Sequence, residues 1–469
     1  MSSSSGLNRE KLAKQLEEYQ QSHVLRFWDD LSGEQQQALS DQLTDIDFEQ
    51  LKQLQSSVNK EQSWGDLASR AELPPAITAG EFKTGDEFEK AVEAGSNAIS
   101  QGEVAMILVA GGQGSRLGFP HPKGMFPIGP ISDRSLYQMI MEKASARAKQ
   151  FDTTIPLYIM TSPPTHAESQ KYLSENNYFD FGADDVQLFC QGVMPAIDGQ
   201  GKLLLAEKHQ VFVSPDGHGG TLAALDRNGC LADMKKRGIK YVFYGQVDNP
   251  LIQVCEPALI GYHILRQSEM TSQVVRKNDP LQKVGNVVSV DGSVQIIEYS
   301  DLPEEHARKT NEDGSLKLWA GSIAVHIFDL SLLQASIQDA SSLPFHKANK
   351  KVPFVDEKGT LIEPDAPNAT KFEKFIFDLL PSAKNAIVCE VDAEDGFCAV
   401  KNAAPAPSET PEHVKNAISD LHRGWLESCG VKVGTGVKVE INPLFAVDPE
   451  QLRSKMAGTK EVNEDTYFV

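Results

Sequence analysis

The chain has 469 residues, 40% of them hydrophobic and 23% charged, as expected of a folded protein with two or three domains. Its formal net charge of −20 argues against nucleic-acid binding and against an anionic membrane surface, because both need a basic face. Six cysteines without a CxxC pair, an N-terminus without an apolar core and no membrane-length apolar run predict a reduced, cytoplasmic protein.

The first predicted segment, residues 1–95, is helical. Leu12 and Leu16 stand four residues apart and therefore share one helix face. Ser32 followed by Gln35 predicts a capping box at the start of a further helix. The segment carries no glycine loop and no cluster of catalytic residue types, so we expect it to pack against the rest of the chain.

Residues 96–402 alternate apolar strands with helical stretches. This alternation predicts an α/β class, Rossmann-like domain, in which a mostly parallel sheet is flanked by helices. Ligands of such sheets bind beyond the carboxyl ends of the strands. The loops that follow the strands are therefore the candidates for a site. The predicted strands are 104–110, 155–160, 186–192, 241–249 and 323–328.

The loop after the first of these strands, residues 111–124, is called the glycine loop below. Gly111, Gly112 and Gly114 allow a sharp turn and bring backbone N–H groups close to a ligand. Arg116 can bind phosphate oxygens in bidentate fashion, and Lys123 adds a second cation. The spacing fits neither the dinucleotide fingerprint nor the Walker loop. Either this is a different kind of polyanion site, which we favour, or it is an ordinary turn with solvated charges.

The segment LVAGGQGSRLGFPHPKG, Leu108 to Gly124, resembles the signature of the UDP-sugar pyrophosphorylases. It is most similar to the branch that contains the UDP-N-acetylglucosamine pyrophosphorylases. The resemblance implies a GT-A-like nucleotidyltransferase domain over residues 96–402, between the helical segment 1–95 and a small C-terminal domain over 403–469. It implies UTP and a sugar 1-phosphate as substrates, and Mg²⁺ as cofactor. The expected sugar is N-acetylglucosamine, with glucose and a broad sugar range as alternatives.

The resemblance also assigns roles to single residues. Arg116 and Lys123 would bind the triphosphate and the leaving pyrophosphate, and Lys401 would bind the sugar phosphate; all three are expected to be catalytic. Asp248, in the sequence VDNP, would hold Mg²⁺, although a turn before proline explains the same residues without a metal. The expected substrate-binding residues are Gly111, Gly112, Gln191, Gly217, His218, Gly219, Gly285, Glu298, Tyr299, Ser322, Lys371, Phe375 and Phe377.

Several of these residues carry a more specific expectation from the resemblance. Gln191 would read the uracil base, and Glu298 would accept hydrogen bonds from sugar hydroxyls. Lys371, at the start of a run that looks helical, would contact phosphate. Two residues depart from the family pattern, since His218 and Ser322 stand where asparagine is usual. The second departure leaves the identity of the sugar open.

No Ser/His/Asp or Cys/His constellation is evident in the sequence. None is needed, because the phosphate of a sugar 1-phosphate is largely dianionic at neutral pH and is itself a nucleophile. A catalytically silent nucleotide-sugar sensor is the alternative from another class. The retained cations and Asp248 argue against it. The sequence leaves the oligomeric state open.

Overall fold

The structure is a computed structural model that describes residues 3–56, 64–339 and 342–469. The predicted N-terminal segment 1–95 therefore lies partly outside the described residues, at 1–2 and 57–63. Within the described ranges, no helix combines the length and the apolar character needed to cross a bilayer.

The α-helices of the described residues are, in chain order, α1 (Ser3–Glu18), α2 (Gly33–Asp45), α3 (Phe48–Ser56), α4 (Trp64–Arg70), α5 (Ala79–Lys83), α6 (Asp86–Ser100), α7 (Leu136–Gln150), α8 (Pro163–Glu175), α9 (Gly220–Arg227), α10 (Cys230–Lys236), α11 (Pro257–Leu265), α12 (Glu304–Ala307), α13 (Leu330–Gln338), α14 (Ala393–Gly396), α15 (Pro411–Ser428) and α16 (Pro449–Lys455). Short 3-10 turns span Ser22–Leu25, Trp28–Asp30, Ser115–Leu117, Lys123–Met125, Asn177–Asp180, Ala183–Asp185 and Ile376–Ser382.

The strands are β1 (Ala76–Ile77), β2 (Val104–Val109), β3 (Leu157–Thr161), β4 (Val186–Cys190), β5 (Val193–Pro195), β6 (Ile197–Asp198), β7 (Leu205–Glu207), β8 (Gln210–Val211), β9 (Val213–Pro215), β10 (Tyr241–Gln246), β11 (Met270–Arg276), β12 (Asn286–Val290), β13 (Ser293–Ile297), β14 (Ala320–Asp329), β15 (His346–Lys350), β16 (Phe354–Val355), β17 (Leu361–Ile362), β18 (Ala369–Glu373), β19 (Ile387–Glu390), β20 (Lys432–Val433), β21 (Val439–Ile441), β22 (Glu461–Val462) and β23 (Thr466–Phe468).

The chain folds into two compact units, each assembled from separate stretches of sequence. The first unit comprises Met1–Ser63, Gly192–Thr221 and Leu343–Ile376, and the second comprises Trp64–Gln191, Leu222–Ser342 and Phe377–Val469. The predicted domain boundaries at residues 95 and 402 stay a prediction.

The second unit is built on a ten-stranded sheet with the strand order β1-β19-β11-β14-β10-β2-β3-β4, to which β12 and β13 are added beside β14. Neighbouring strands of the main order run parallel except at β14, which is antiparallel to both β10 and β11. Strand β2 is almost wholly buried, as a strand covered by helices on both faces should be. The predicted α/β fold with a mostly parallel sheet is confirmed.

The first unit joins helices α1–α3 to small antiparallel sheets. Leu12 and Leu16 are buried in one cluster with apolar residues of the short strands, which confirms the predicted helix face. The capping box of α2 is present as predicted: the Ser32 hydroxyl accepts the Gln35 N–H at 3.3 Å, and the Gln35 side chain accepts the Ser32 N–H at 3.0 Å. Helix α2 therefore begins where the sequence indicates.

Candidate functional site

Strands β10, β2, β3 and β4 are neighbours and run parallel, so their carboxyl ends meet at one edge of the sheet. Strand β14 runs antiparallel, and its first residue pairs with the last residue of β11. The loops after β2, β4 and β10 carry Gly111, Gln191 and Asp248, and Ser322 lies near the start of β14. These predicted site residues therefore converge on one edge of the sheet of the second unit, where ligands of such sheets bind.

The glycine loop closes on itself through backbone hydrogen bonds. The Gly114 N–H donates to the His121 carbonyl at 2.9 Å, and the Lys123 N–H donates to the Gly112 carbonyl at 3.0 Å. Closure holds both predicted phosphate-binding cations on one short segment. Arg116 is exposed and makes no ion pair with any residue of the described ranges.

Gln191 lies against the glycine loop. Its side-chain oxygen is 3.1 Å from the position that a Cβ atom would occupy on Gly111. The Gln191 N–H donates to the Thr161 carbonyl at 2.9 Å, and the Ser162 hydroxyl donates to the Gly111 carbonyl at 2.6 Å. The ends of β3 and β4 thus fix the start of the loop and the predicted base reader together.

Lys123 and Asp248 form an ion pair at the base of the glycine loop. The lysine Nζ lies 3.3 Å from the aspartate Oδ2, and the two side chains are only 18% and 15% exposed. The Val247 N–H donates to the Val109 carbonyl at 3.0 Å, which extends the β10–β2 pairing up to the aspartate. The strand order therefore brings the predicted triphosphate lysine to the predicted metal ligand.

Asn249 ties the turn after β10 to a distant segment of the chain. Its side-chain N–H donates to the Gly396 carbonyl at 2.8 Å, and its oxygen accepts the N–H groups of Cys398 at 3.0 Å and Leu251 at 3.3 Å. Asn249 is only 2% exposed. The turn expected as the alternative explanation is thus present, and it coexists with the placement of Asp248 at the sheet edge.

Lys401 lies near Asp248, on the chain segment that Asn249 binds. The Val400 N–H donates to the Asp248 carbonyl at 2.9 Å, so Lys401 follows directly on a residue bonded to the predicted metal ligand. Its ammonium lies 3.1 Å from Glu409 Oε1, and both side chains are 35% exposed. A pair this exposed contributes about 1 kcal/mol or less.

Three of the predicted sugar-binding residues meet at a second point on this edge. The Ser322 N–H donates to the Gly285 carbonyl at 2.8 Å, and a Cβ atom on Gly285 would lie 3.1 Å from Glu298 Oε1. Only glycine leaves room for the carboxylate to approach so closely. Tyr299 is 48% exposed beside this group, whereas Phe377 is buried.

In the first unit, His218 lies among aromatic and backbone groups. Its Nδ1 accepts the Ile376 N–H at 3.2 Å, and its ring stacks on Phe375 with centroids 5.3 Å apart. Burial, and secondarily His346, lowers the pKa of His218 to about 4. The imidazole is therefore neutral at physiological pH, and the bond to Nδ1 places its proton on Nε2.

The glycines on either side of His218 pack against the backbone of Lys374, which directly follows β18. Gly217 has a φ of +83°, and a Cβ atom on it would lie 2.4 Å from the Lys374 carbonyl oxygen. The Gly219 N–H donates to the same carbonyl at 2.8 Å. Both positions therefore have a structural reason for glycine, whatever ligand the turn binds.

Lys371 does not begin a helix, contrary to the expectation from the sequence. It lies in β18, where it is paired with Ala348 of β15. The side chains alternate, so that Phe372 is fully buried on one face while the Lys371 ammonium lies 5.0 Å from the Phe212 ring centroid. Burial lowers the pKa of Lys371. The spaced phenylalanines resembled a helical pattern, but pairing with β15 decides the conformation.

The carboxylate of Asp248 fits a magnesium ion held jointly with a substrate. The described residues contain no group of three or more His, Cys, Asp or Glu able to enclose a metal. Mg²⁺ usually binds one or two protein carboxylates and completes its shell with water and substrate phosphates. A single, partly exposed carboxylate beside the glycine loop meets that requirement.

Comparison with known proteins decides the family. Residues 49–406 match the family described as "UTP--glucose-1-phosphate uridylyltransferase". The chain belongs to this family. The membership confirms the predicted resemblance to UDP-sugar pyrophosphorylases and the predicted enzyme class, a UTP–sugar-1-phosphate uridylyltransferase.

Similar proteins cover almost the whole chain. A UDP-N-acetylhexosamine pyrophosphorylase-like protein 1 of Xenopus tropicalis is 36% identical, over 91% of this chain and 86% of that protein. The UDP-N-acetylglucosamine pyrophosphorylase of Saccharomyces cerevisiae is 35% identical, over 92% of this chain and 94% of that protein. The crystal structure of the Trypanosoma brucei UDP-N-acetylglucosamine pyrophosphorylase, with an inhibitor, superimposes with a TM-score of 0.82 at 26% identity, covering 98% of both chains.

Two polar residues of this uridylyltransferase were missed in the sequence. Asn249 was read only as part of a turn, although its side chain joins Asp248 to the Lys401 segment. Ser162 was given no role, although its hydroxyl bonds the glycine loop. Asn249 is the last residue of the predicted strand 241–249 and Ser162 stands two residues after the predicted strand 155–160, at the edge where ligands of such sheets bind. That position is the signal that would have found them.

Proposed function

We propose that this uridylyltransferase forms UDP-N-acetylglucosamine and pyrophosphate from UTP and N-acetylglucosamine 1-phosphate. Family membership supports the use of UTP and a sugar 1-phosphate. The yeast and trypanosome relatives named for N-acetylglucosamine support that sugar. The observation that carries the proposal is the Lys123–Asp248 pair at the base of the glycine loop, which joins a cation for phosphate to a carboxylate for its metal.

The nucleophile is a phosphate oxygen of the sugar 1-phosphate. It forms a bond to the α-phosphorus of UTP, while the bond from that phosphorus to the oxygen bridging to the β-phosphate breaks. Pyrophosphate leaves with the electron pair of the broken bond. No side chain has to remove a proton, because the attacking phosphate is already largely dianionic at neutral pH. The protein contributes positioning and electrostatic stabilisation.

The cations at the sheet edge oppose the repulsion between two polyanions. Arg116 and Lys123 would bind the triphosphate on the glycine loop and stabilise the charge that develops on the leaving pyrophosphate. Lys401 would exchange Glu409 for the sugar phosphate beside Asp248. Because the whole protein carries a charge of −20, these local cations are what makes the edge attractive to an anion.

Magnesium would be held by Asp248 together with the phosphates of UTP. When bound, the ion would neutralise charge on the phosphate oxygens and orient them. Gln191 would hydrogen-bond the uracil edge, and Glu298 would accept hydrogen bonds from sugar hydroxyls. For His218 and Lys371, which lie in the first unit, roles in nucleotide and phosphate binding respectively stay predictions from the resemblance.

Ser322 favours one alternative, a preference for glucose 1-phosphate. A serine hydroxyl is shorter than the asparagine side chain that is usual in the N-acetylglucosamine branch. Its Oγ accepts the Ala324 N–H at 3.3 Å, which keeps the hydroxyl near its own backbone. A sugar without an N-acetyl group would not need a long side chain at position 322 to bind that group.

Pyrophosphate release from UTP tests the function in one assay. Purified protein with Mg²⁺ is supplied with UTP and, in parallel, with the 1-phosphates of N-acetylglucosamine, N-acetylgalactosamine, glucose and galactose. We expect N-acetylglucosamine 1-phosphate to give the highest kcat/KM. A higher value for glucose 1-phosphate would establish the alternative sugar. No release with any sugar, but binding of UDP-sugar by calorimetry, would indicate the sensor instead.

A further inference from the structure

Lys277 is a buried lysine that the proposed mechanism does not use. It directly follows β11 and is only 4% exposed. Its ammonium donates a hydrogen bond to the side-chain oxygen of Asn286, which is 2% exposed. No carboxylate within the described ranges forms an ion pair with it. A buried ammonium without a close ion pair is costly: burial lowers the pKa of Lys277 to about 8, and the opposing effect of the Asp279 charge is smaller.

The Lys277–Asn286 pair connects the ends of four strands. The Lys277 N–H donates to the carbonyl of Trp319, the residue before β14. Asn286, the first residue of β12, pairs with Gly321 of β14, and its side-chain N–H donates to the carbonyl of Ile297, the last residue of β13. The carbon stem of Lys277 packs under Gly321, where a Cβ atom would lie 3.2 Å from the lysine Cγ. The pair thus fastens β11, β12, β13 and β14 together.

Three of the four strand ends that the pair holds, those of β12, β13 and β14, lead to the predicted sugar pocket. Asn286 and its two partners on the neighbouring strands each stand one residue away from a predicted sugar-binding residue. Those sugar-binding residues also contact one another: the Ser322 N–H donates to the Gly285 carbonyl, and the Glu298 carboxylate approaches Gly285 closely. The three neighbours are Gly285, Glu298 and Ser322.

We propose that the Lys277–Asn286 pair positions Gly285 and Glu298 for the sugar, and so sets the affinity of the enzyme for its sugar 1-phosphate. The inference rests on the proposed function and adds two residues to it. Neither residue needs to touch the substrate. They are positioning residues, because they act through the strand ends that carry the pocket.

Substituting Lys277 and Asn286 separately tests whether the two residues act together. Lys277→Met removes the donor and leaves the buried Asn286 oxygen without it, whereas Asn286→Leu leaves the ammonium without its acceptor. Losing a buried hydrogen bond to a charged group should displace the strand ends that it holds, and a tenfold change in affinity corresponds to about 1.4 kcal/mol. We therefore expect each variant to raise KM for N-acetylglucosamine 1-phosphate about tenfold.

The same variants should leave KM for UTP within about twofold, because the nucleotide residues lie after other strands of the sheet. In the Lys277→Met/Asn286→Leu double variant, both polar groups are gone, so KM should rise no further than in the worse single variant. Lys283→Met is the matched control. It removes an exposed lysine from the same β11–β12 connection and should change neither KM.

The test is steady-state kinetics with each substrate varied in turn, on variants whose thermal unfolding shows that they are folded. Lys277→Gln, which keeps a side-chain donor without the charge, should raise KM less than Lys277→Met; if Lys277→Met does not fold, Asn286→Leu carries the test. A rise of both KM values together, or an unchanged KM for the sugar 1-phosphate, would overturn the positioning role. Wild-type protein that turns over none of the sugar 1-phosphates would overturn the proposed function and this inference with it.

Discussion

Lys123 and Asp248, 125 residues apart in the chain, form an ion pair with Nζ and Oδ2 separated by 3.3 Å. The pair exists because β2 and β10 are adjacent parallel strands, so the loops that follow them leave the sheet side by side. Without substrate, the lysine and the carboxylate balance each other. In the proposed function, a triphosphate that arrives with a divalent cation would supply each of them with a partner of opposite charge.

The first prediction concerns Asp248→Asn. An amide is a weaker ligand for Mg²⁺ and cannot balance Lys123. We expect kcat to fall on the order of 10²- to 10³-fold, the usual effect of losing one electrostatic contact in a transition state. Binding of Mn²⁺ in the presence of UTP, followed by electron paramagnetic resonance, should weaken in parallel, and excess EDTA should stop the wild-type reaction.

Asp152→Asn is the control for that experiment, because Asp152 is an exposed residue in a turn remote in sequence from the site. Its activity and Mn²⁺ binding should match the wild type. If Asp248→Asn bound Mn²⁺ as tightly as the wild type, Asp248 would lose its role as the metal ligand, even with a lowered kcat.

The second prediction concerns Asn249→Leu. The substitution leaves the Gly396 carbonyl and the Cys398 N–H without their partner, each at a cost of about 1–3 kcal/mol. The segment that carries Lys401 should then shift relative to Asp248, and kcat should fall about tenfold or more. In a double-mutant cycle, Lys401→Met should lose less activity in the Asn249→Leu background than in the wild type. If the two losses of activity were additive, Asn249 and Lys401 would act independently of each other.

The sequence predicted the glycine loop well, because each of its features is local. The apolar run of β2, the glycines and the two cations are adjacent in the chain, and their spacing fits neither the dinucleotide fingerprint nor the Walker loop. The Lys123–Asp248 and Asn249–Gly396 contacts depend instead on which strands become neighbours. A single sequence does not determine that order, so these contacts appeared only in the structure.

Lys371 shows a second limit of prediction from the sequence, which concerns secondary structure. Its neighbours Phe372 and Phe375 have the spacing of a helix face. The segment nevertheless forms strand β18, because β15, an earlier segment of the chain, pairs with it. The first unit as a whole joins three separated stretches of the chain. Local pattern cannot anticipate such an assembly, since the apolar faces that match lie more than a hundred residues apart.

The third prediction concerns Ser322→Asn. The Ser322 hydroxyl accepts the Ala324 N–H and so stays near the backbone. The longer asparagine amide should reach a sugar substituent that this hydroxyl does not reach. We expect the ratio of kcat/KM for N-acetylglucosamine 1-phosphate to that for glucose 1-phosphate to rise about tenfold, which corresponds to about 1.4 kcal/mol. Ser322→Ala tests the hydroxyl alone. A ratio that is equal in all three proteins would remove this position from sugar selection.

The fourth prediction uses Lys143, a buried lysine of α7. Its ammonium donates to the carbonyls of Pro250 at 2.6 Å and Ile252 at 3.1 Å, so it supports the turn that follows Asp248. Burial, and secondarily Arg147, lowers the pKa of Lys143 from its ordinary 10.5 to about 7. The stability of the protein should therefore depend on pH through this residue.

The sign follows from the protons that each state binds. Below pH 7 the lysine is protonated in both states, so its effect on stability is constant. Between pH 7 and 10.5 the folded protein releases the proton while the unfolded chain keeps it, so stability should rise with pH. Lys143→Met does not titrate, so the free energy of unfolding of the wild type minus that of Lys143→Met should increase by about 1 kcal/mol per pH unit between pH 7 and 9.

Urea unfolding at a series of pH values measures this difference. His422 also lies in this region, but burial, and secondarily Lys143, lowers its pKa to about 3, so it stays neutral throughout and does not contribute to the slope. Lys143→Arg is the matched control, because arginine keeps its charge at every pH used. Relative to Lys143→Met, it should show no slope over the window in which the wild type does. A wild-type curve parallel to both variants would show that Lys143 keeps its proton, and that the carbonyls of the Asp248 turn are bonded by a charged group even at pH 9.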